Sequence, residues 1–211
     1  MNQIEQPFRS EEVEGVLHRP DRENGHAIVL AHGAGSNCHA PLLVAAARAF
    51  AGTGWLALRV NLAFRRQRAS GPPFPAMAPR DREGLRQAVT ALRSMAGGKV
   101  VLGGHSYGGR QSTMLAAEEP GAADALLLLS YPLHPPRKPA ELRTAHLPRL
   151  RTPALFAHGT RDPFGSPEEM REALRLIPAR AELMLVEGAG HDLKALGARA
   201  GSLVAPVTEL L

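Results

Sequence analysis

The stretch KVVLGGHSYGGR, from Lys99 to Arg110, limits the possible folds more than any other part of this chain. Its apolar start, Lys99–Gly103, is too short for a helix, whereas Gln111–Glu118 has helical spacing. A strand therefore meets a helix at Ser106. This serine lies in the pattern G-x-S-x-G, which is typical of a nucleophile elbow, a sharp turn that exposes a strained serine above the edge of a sheet.

Glycines flank this serine for a steric reason. Side chains at Gly104 and Gly108 would collide where the strand and the helix fold back on each other, and Gly109 lets the helix pack closer still. We expect Ser106 to be a catalytic nucleophile. The alternative is a glycine-rich turn whose serine only caps the helix.

Composition favours one compact domain that spans residues 1–211. The chain has 44% hydrophobic residues and a formal charge of +5, and 22 of its 25 basic residues are scattered arginines. No dense basic run of the kind that binds nucleic acid is present, so we expect no nucleic-acid partner. The one tight cluster, Arg65, Arg66 and Arg68, favours a solvated loop over recognition of an anionic substrate group.

Cysteine use and the N-terminal sequence favour the cytoplasm. Cys38 is the only cysteine, and MNQIEQPFRS lacks the apolar centre of a signal peptide. The apolar run Ala125–Leu129 is far too short to cross a bilayer, and Arg48 interrupts the run from Pro41 to Ala51. We therefore expect no membrane segment.

Short apolar runs alternate with helical patterns along most of the chain, which predicts an α/β fold with parallel strands. The predicted strands are Ala27–Ala31, Trp55–Val60, Lys99–Gly103, Ala125–Leu129, Ala154–Ala157 and Glu182–Val186, and the predicted helices are Leu42–Phe50, Arg80–Met95, Gln111–Glu118 and Pro167–Leu176. At the N-terminus, Ser10 to His18 predicts one or two edge strands, and Pro20 to Gly25 predicts a polar turn.

Two segments between these elements bear on a site. Asn61 to Pro79 is too rich in Pro and Gly for regular structure, and it either lines the substrate entrance or is a solvated connection. Leu133 to Thr152 leaves no room for a large helical lid. It contains His134 and His146, but without a Cys or Glu partner at ligand spacing we expect no metal site.

The motif HGAG directly follows the first buried strand. In acyl transfer, backbone N–H groups must stabilise the oxygen that becomes negative, and small residues allow a close approach. We expect the N–H groups of Ala34 and Tyr107 to form this oxyanion hole, with His32 orienting the loop. A phosphate-binding loop is not supported, because no Lys-Ser/Thr follows the glycines. Cys38 and His39 are adjacent in sequence and such residues seldom face each other, so we expect Cys38 to be a packed thiol and not a nucleophile.

A base and an acid for the serine follow the last two predicted strands. Asp162 lies just past the strand at Ala154, and His191 follows the glycines of EGAGHD. Because the carboxyl ends of parallel strands meet at one edge, Ser106, Asp162 and His191 can converge in the chain order Ser, Asp, His. Asp192 and Glu187 are rival acids.

Together these motifs resemble the α/β-hydrolase superfamily. The resemblance covers roughly residues 27 to 192 through HGAG, GHSYGG, HGTRDPFG and GAGHD. LSYPLHPP and LRTAHLPRL look like a small, lid-less, dienelactone-hydrolase-like group that includes testis-expressed protein thirty. The resemblance implies an eight-stranded type of sheet, complete or trimmed at its N-terminal edge. We expect a three-layer α/β/α sandwich with a mostly parallel central sheet and a minimal lid, and we expect no cofactor. Dienelactone hydrolases have a cysteine where this chain has Ser106, so the substrate does not follow from the resemblance.

Two hypotheses of different classes follow. The first is a serine hydrolase for a small carboxylic ester or thioester, with Ser106 as nucleophile, His191 as base and Asp162 as acid. The second is an interaction protein that keeps the fold and leaves its site unused. The short lid segment predicts an open site that favours short acyl groups.

Overall fold

The apolar runs of the sequence become the inner strands of an eight-stranded sheet in the computed structural model, which describes residues 3–211. The strands are β1 (Gln3–Arg9), β2 (Glu14–Pro20), β3 (Ala27–Ala31), β4 (Leu56–Asn61), β5 (Val100–His105), β6 (Ala125–Leu129), β7 (Ala154–Gly159) and β8 (Ala181–Val186). Their order in the sheet is β1-β2-β4-β3-β5-β6-β7-β8, and all neighbours pair in parallel except β1 with β2 and β2 with β4.

Helices cover both faces of this sheet. They are α1 (Pro41–Ala51), α2 (Ala63–Gln67), α3 (Ala78–Met95), α4 (Tyr107–Glu118), α5 (Pro167–Leu174), α6 (Lys194–Gly197) and α7 (Val204–Thr208), with short 3₁₀ turns at Pro75–Met77, Leu147–Arg149 and Ala200–Leu203. The architecture is the predicted three-layer α/β/α sandwich. Among residues 3–211, no helix is both long and apolar enough to cross a membrane.

Alternate residues of the inner strands feed two separate cores, which explains why these strands are apolar throughout. In β3, Val29 packs into the core beneath α3, α4 and α5, whereas Ile28 and Leu30 pack into the core beneath α1 and the C-terminal turns. Every residue of β3 and β6 is buried. The C-terminal residues Leu196 and Val207 belong to the second core, although no helix is predicted there from the sequence.

The N-terminal prediction was partly wrong. The structure begins with a hairpin whose first strand, β1, runs over Gln3–Arg9, and its second strand continues to Pro20, into the predicted turn. Strand β1 is polar and mostly exposed, and Ile4 is 61% exposed. Backbone pairing with β2 and the ion pairs of Glu5 with Arg48 and Arg59 hold this strand, and none of its residues is fully buried, so it carries no hydrophobic pattern.

The segment Asn61 to Pro79 was also predicted wrongly in part, because it contains α2 and a 3₁₀ turn. The Phe64 side chain is buried in the core, and the Phe64 N–H donates to a carboxylate oxygen of buried Asp81 at 3.0 Å. These contacts with α3 stabilise a short helix that local sequence does not predict. The expectation for 133–152 is confirmed, since it contains only the 3₁₀ turn Leu147–Arg149.

Candidate active site

Ser106 lies in a strained turn between β5 and α4. Its φ and ψ angles are 50° and −114°, a region that non-glycine residues rarely occupy and that costs about 1–3 kcal/mol. Its side chain makes no capping hydrogen bond to α4, which removes the alternative of a simple helix cap. The backbone N–H of Ser106 donates to the carbonyl of Leu129 at 2.8 Å and joins the turn to the end of β6.

The flanking glycines are needed for close packing, but against a neighbour other than the one expected. A Cβ on Gly104 would lie 2.2 Å from the carbonyl oxygen of Ala31, and a Cβ on Gly108 would lie 2.6 Å from that of His32. The collision is therefore with the end of β3. Only Gly109 meets the turn itself, since its Cβ would lie 2.7 Å from the Gly104 oxygen.

A chain of hydrogen bonds joins the three predicted catalytic side chains. The Ser106 hydroxyl lies 2.8 Å from Nε2 of His191. The other ring nitrogen, Nδ1, lies 2.8 Å from Oδ2 and 3.0 Å from Oδ1 of Asp162. In this arrangement Nδ1–H donates to the carboxylate, which leaves Nε2 free to accept the serine proton.

The two rival acids point elsewhere. The Asp192 carboxylate pairs with the ammonium group of Lys194 at 3.1 Å, and Glu187 accepts a hydrogen bond from the Thr160 hydroxyl at 3.3 Å. Neither contacts the His191 ring. Asp162 is the carboxylate that holds this imidazole.

The surroundings of Asp162 keep its carboxylate ionised. Its side chain is fully buried, and burial alone would raise its pKa. The hydrogen bond and the charge of His191, the Phe164 N–H at 2.9 Å and the nearby His158 outweigh burial, so the pKa of Asp162 is lowered. An ionised carboxylate at this position stabilises a protonated His191.

Two side chains that sequence reasoning missed fix the orientation of His191. The ring of Phe164 stacks on it with centroids 4.1 Å apart and planes 29° apart. The His105 ring donates from Nε2 to the carbonyl oxygen of His191 at 2.7 Å. His105 lies in the motif GHSYGG and Phe164 in HGTRDPFG, but a contact between residues this far apart in sequence from His191 cannot be predicted from one sequence.

The loop that carries Ala34 is held from behind by a buried histidine and a buried arginine. The ring of His32 donates from Nδ1 to the Gly33 carbonyl at 2.8 Å and accepts the Leu62 N–H on Nε2 at 3.1 Å. Burial lowers the pKa of His32 to about 4, so the ring is neutral and positions the loop, as its sequence context indicated.

Arg65 holds the same loop by donating to backbone carbonyls. Its guanidinium bonds the oxygens of Ser36 at 2.8 Å and Ala34 at 2.9 Å, and it also reaches Gly71 at 3.0 Å and Arg68 at 3.1 Å. Only 8% of Arg65 is exposed. The expectation of a solvated arginine cluster was therefore wrong for this member.

The second predicted oxyanion donor, Tyr107, is held by its side chain. Its hydroxyl donates to Asp81 at 2.7 Å, and burial together with this carboxylate raises the pKa of the phenol. Tyr107 is the first residue of α4, so its N–H has no acceptor within the helix. In the described part of the chain, the N–H of Ala34 also has no backbone acceptor.

Ser106, Ala34 and Tyr107 share one cavity of about 530 Å³. Prolines and Phe74 of the 61–79 segment form one wall, so this segment lines the site as well as connecting two elements. The lining also includes Pro132, Phe164 and two arginines; the remaining lining residues are Ala78, Gln111 and Met114.

The other groups considered from sequence lie outside this cavity. Cys38 is buried, and burial raises the pKa of its thiol. His134 donates to the Pro135 carbonyl at 2.8 Å, and His146 contacts the Thr113 hydroxyl at 2.8 Å. Across residues 3–211, no three His, Cys, Asp or Glu side chains are grouped so that they could hold a metal ion.

A protein-family model and several solved structures match this chain over most of its length. A family model described as an alpha/beta hydrolase domain matches residues 24–205. The dienelactone hydrolase from Anabaena variabilis is 21% identical, with a TM-score of 0.74 and coverage of 99% of this chain and 97% of that chain. TT1662 from Thermus thermophilus is 24% identical, with a TM-score of 0.74 and 95% coverage of both chains.

A further similar structure is XC6422 from Xanthomonas campestris, described as a member of the a/b serine hydrolases without lid. It is 17% identical, with a TM-score of 0.72 and coverage of 100% of this chain and 96% of that chain. At these identities the likeness shows a shared fold. The 133–152 segment, which contains only one 3₁₀ turn, likewise forms no lid in this chain.

Proposed function

Since the chain belongs to the alpha/beta-hydrolase family, we propose that it is a serine hydrolase that cleaves a carboxylic ester or thioester through an acyl-enzyme. The observation that carries this proposal is the hydrogen-bond chain from Ser106 through His191 to Asp162, with both links at 2.8 Å. A serine hydroxyl is a weak nucleophile near neutral pH, and this chain supplies the base and the orienting acid that it needs.

In the proposed reaction, the Ser106 oxygen attacks the substrate carbonyl while its proton passes to Nε2 of His191. The N–H groups of Ala34 and Tyr107 donate to the carbonyl oxygen as it becomes negative. The tetrahedral intermediate then expels the alcohol or thiol, which takes the proton from His191 and leaves an acyl group on Ser106. Water, deprotonated by His191, releases the acid by the same steps.

The size of the cavity and the short lid segment support small substrates. A cavity of about 530 Å³ suits a compact ester, and the 133–152 segment provides only one 3₁₀ turn of cover. We expect acetate and butyrate esters to be cleaved with higher kcat/KM than long-chain esters. A strong preference for long acyl chains would contradict this part of the proposal. The mechanism uses no cofactor or metal, and the cysteine content supports a cytoplasmic setting.

Labelling with a fluorophosphonate tests the proposal directly, because the probe reacts with an activated serine. We expect one adduct, located at Ser106 by mass spectrometry. Ser106→Ala should lose it, whereas Ser94→Ala, at an exposed serine of α3, should keep it. Folded protein that forms no adduct would contradict the hydrolase and favour the interaction protein with an unused site.

A further inference from the structure

Two arginines line the same cavity as the predicted nucleophile. Arg110 lies one helical turn after Ser106, and its N–H donates to the Ser106 carbonyl at 2.9 Å, so both side chains lie on one face at the start of α4. Arg143 comes from the 133–152 segment, and its backbone is fixed because its carbonyl accepts the Tyr131 hydroxyl at 2.7 Å. We call Arg110 and Arg143 the arginine pair.

The charges of this pair are not neutralised by the protein. Among the described residues, no carboxylate lies within 4.0 Å of either guanidinium. Glu141 is near enough to affect Arg143 electrostatically, but its carboxylate pairs with the ammonium group of Lys138 at 2.9 Å. Arg143 donates to the Pro132 carbonyl at 3.3 Å, and Nε of Arg110 is buried with no hydrogen-bond partner.

The two cations also repel each other in a partly buried setting. Burial lowers the pKa of Arg143, and the charge of Arg110 lowers it further. Like charges held together away from water are unfavourable unless an anion lies near both. A negatively charged group bound between the two guanidinium groups would relieve this repulsion.

The rest of the cavity lining offers no competing negative charge. Gln111 adjoins the cavity but is fully buried, and its side-chain oxygen accepts from Arg82 at 3.1 Å. The arginine pair thus presents donors and positive charge beside Ser106, with no acidic residue in the cavity lining.

We propose that the arginine pair binds a carboxylate of the substrate, so that the ester or thioester cleaved at Ser106 carries this charge in its acyl or alcohol part. A planar guanidinium matches the two oxygens of a carboxylate, which favours this group over a neutral polar one. The inference rests on the proposed function and narrows its substrate class from small esters to anionic ones.

Two matched pairs of rigid esters test the inference. In the first, the charge is on the acyl part: the para-nitrophenyl ester of terephthalic acid is compared with that of its monoamide. In the second, it is on the alcohol part: para-acetoxybenzoate is compared with para-acetoxybenzamide. The benzene ring keeps each carboxylate from attacking its own ester. We expect kcat/KM to be at least about 10-fold higher for the carboxylate in one of the pairs, as charged hydrogen bonds allow.

Variants assign that preference to the pair. Arg110→Gln and Arg143→Gln should each lower kcat/KM for the preferred carboxylate by about 10-fold or more relative to its carboxamide. Arg22→Gln is the matched control, because Arg22 is an exposed arginine in the turn before β3, at the opposite edge of the sheet. It should keep the preference of the wild-type protein.

The outcomes separate this inference from the proposed function. If Ser106 is labelled by fluorophosphonate but the wild-type protein cleaves carboxylate and carboxamide esters equally in both pairs, the carboxylate site is wrong and the hydrolase stands. Equal losses on both members of a pair in Arg110→Gln and Arg143→Gln would also overturn it. Absence of labelling would instead contradict the hydrolase. The preference of the wild-type protein decides the matter even if a variant fails to fold.

Discussion

The side chains that face the cavity differ in kind from those that hold its walls from behind. Ser106 and Arg110 line the cavity, and His191, which bonds the Ser106 hydroxyl, has a side chain that is 21% exposed. His32 and Asp81, behind the walls, are 0% exposed and bonded to backbone N–H groups or to the Tyr107 hydroxyl. The side chains at the cavity, the facing group, can still form hydrogen bonds with a substrate. Those behind its walls, the backing group, form their hydrogen bonds within the fold.

Arginine shows the contrast within one residue type. Arg65 donates to four backbone carbonyls, whereas Nε of Arg110 has no partner, although both lie close to the proposed oxyanion hole. Clustering in the sequence drew attention to Arg65 and its neighbours, but the partners of each guanidinium decide its role. We therefore expect facing residues to affect turnover more than stability, and backing residues to do the reverse.

The largest expected effect comes from the facing group. Ser106→Ala and His191→Ala should each lower kcat by about 10⁴-fold or more, and the double variant should be hardly worse, because the members of such a chain act as a unit. Thermal unfolding should change little in Ser106→Ala, whereas His191→Ala leaves the buried Asp162 carboxylate without the ring that donates to it and should also lower the melting temperature. Steady-state kinetics and melting curves of the three variants provide the measurement. Losses that multiply in the double variant would show that the two side chains act independently.

Arg65→Met should show the reverse pattern. Removing the guanidinium leaves partly buried carbonyls of the Ala34 loop without a donor, and we expect a loss of about 2–3 kcal/mol in the free energy of unfolding. Displacement of Ala34 should also lower kcat, by up to about 10²-fold, the effect of losing one oxyanion donor. Urea denaturation and kinetics measure the two effects.

Arg68→Met is the matched control in the same cluster. Arg68 is exposed, and its guanidinium lies 4.6 Å from the centre of the Phe74 ring, a contact worth about 0.5–1 kcal/mol at an exposed site. Equal destabilisation by Arg65→Met and Arg68→Met would remove the distinction between a backing arginine and a surface one.

The features that could be predicted from the sequence are those with a local pattern, and the features that could not are those that depend on distant contacts. Inner strands such as β3 and β6 are buried on both faces and therefore appear as apolar runs, and Ser106, Asp162 and His191 lie in motifs at strand ends. Their hydrogen bonds agree with that interpretation, while their catalytic role stays a prediction. The role of Asp81 depends on Tyr107, 26 residues away, and such contacts form only in the folded chain. Strand β1 was missed because it has no buried face.

Tyr107→Phe should have a moderate effect on stability. It removes the hydroxyl that donates to buried Asp81 but keeps the backbone N–H that we assign to the oxyanion hole. The free energy of unfolding should fall by about 1–2 kcal/mol, because a buried carboxylate oxygen loses a donor, and kcat should fall less than in Arg65→Met. Urea denaturation with parallel kinetics tests this order. A loss of kcat as large as that of Ser106→Ala would mean that the phenol itself takes part in the reaction.

The smallest expected effect concerns acid stability, through a backing histidine. Burial lowers the pKa of His32 to about 4 from a usual value of 6.5, so between these values the unfolded chain binds a proton that the folded chain does not. The stability that His32 contributes is therefore fully present above pH 6.5 and is lost as the pH falls towards about 4. The slope from this one residue is at most about 1.4 kcal/mol per pH unit.

Replacement of this ring should flatten the pH dependence. His32→Gln removes one titrating group, so its free energy of unfolding, measured by urea denaturation from pH 7 to about 4.5, should fall less steeply than that of the wild-type protein. Arg68→Met, which keeps every histidine and every contact of a buried carboxylate, should retain the wild-type slope. An unchanged slope in His32→Gln would mean that His32 takes up its proton in the folded state, and that the Ala34 loop is held by a charged ring and not by a neutral one.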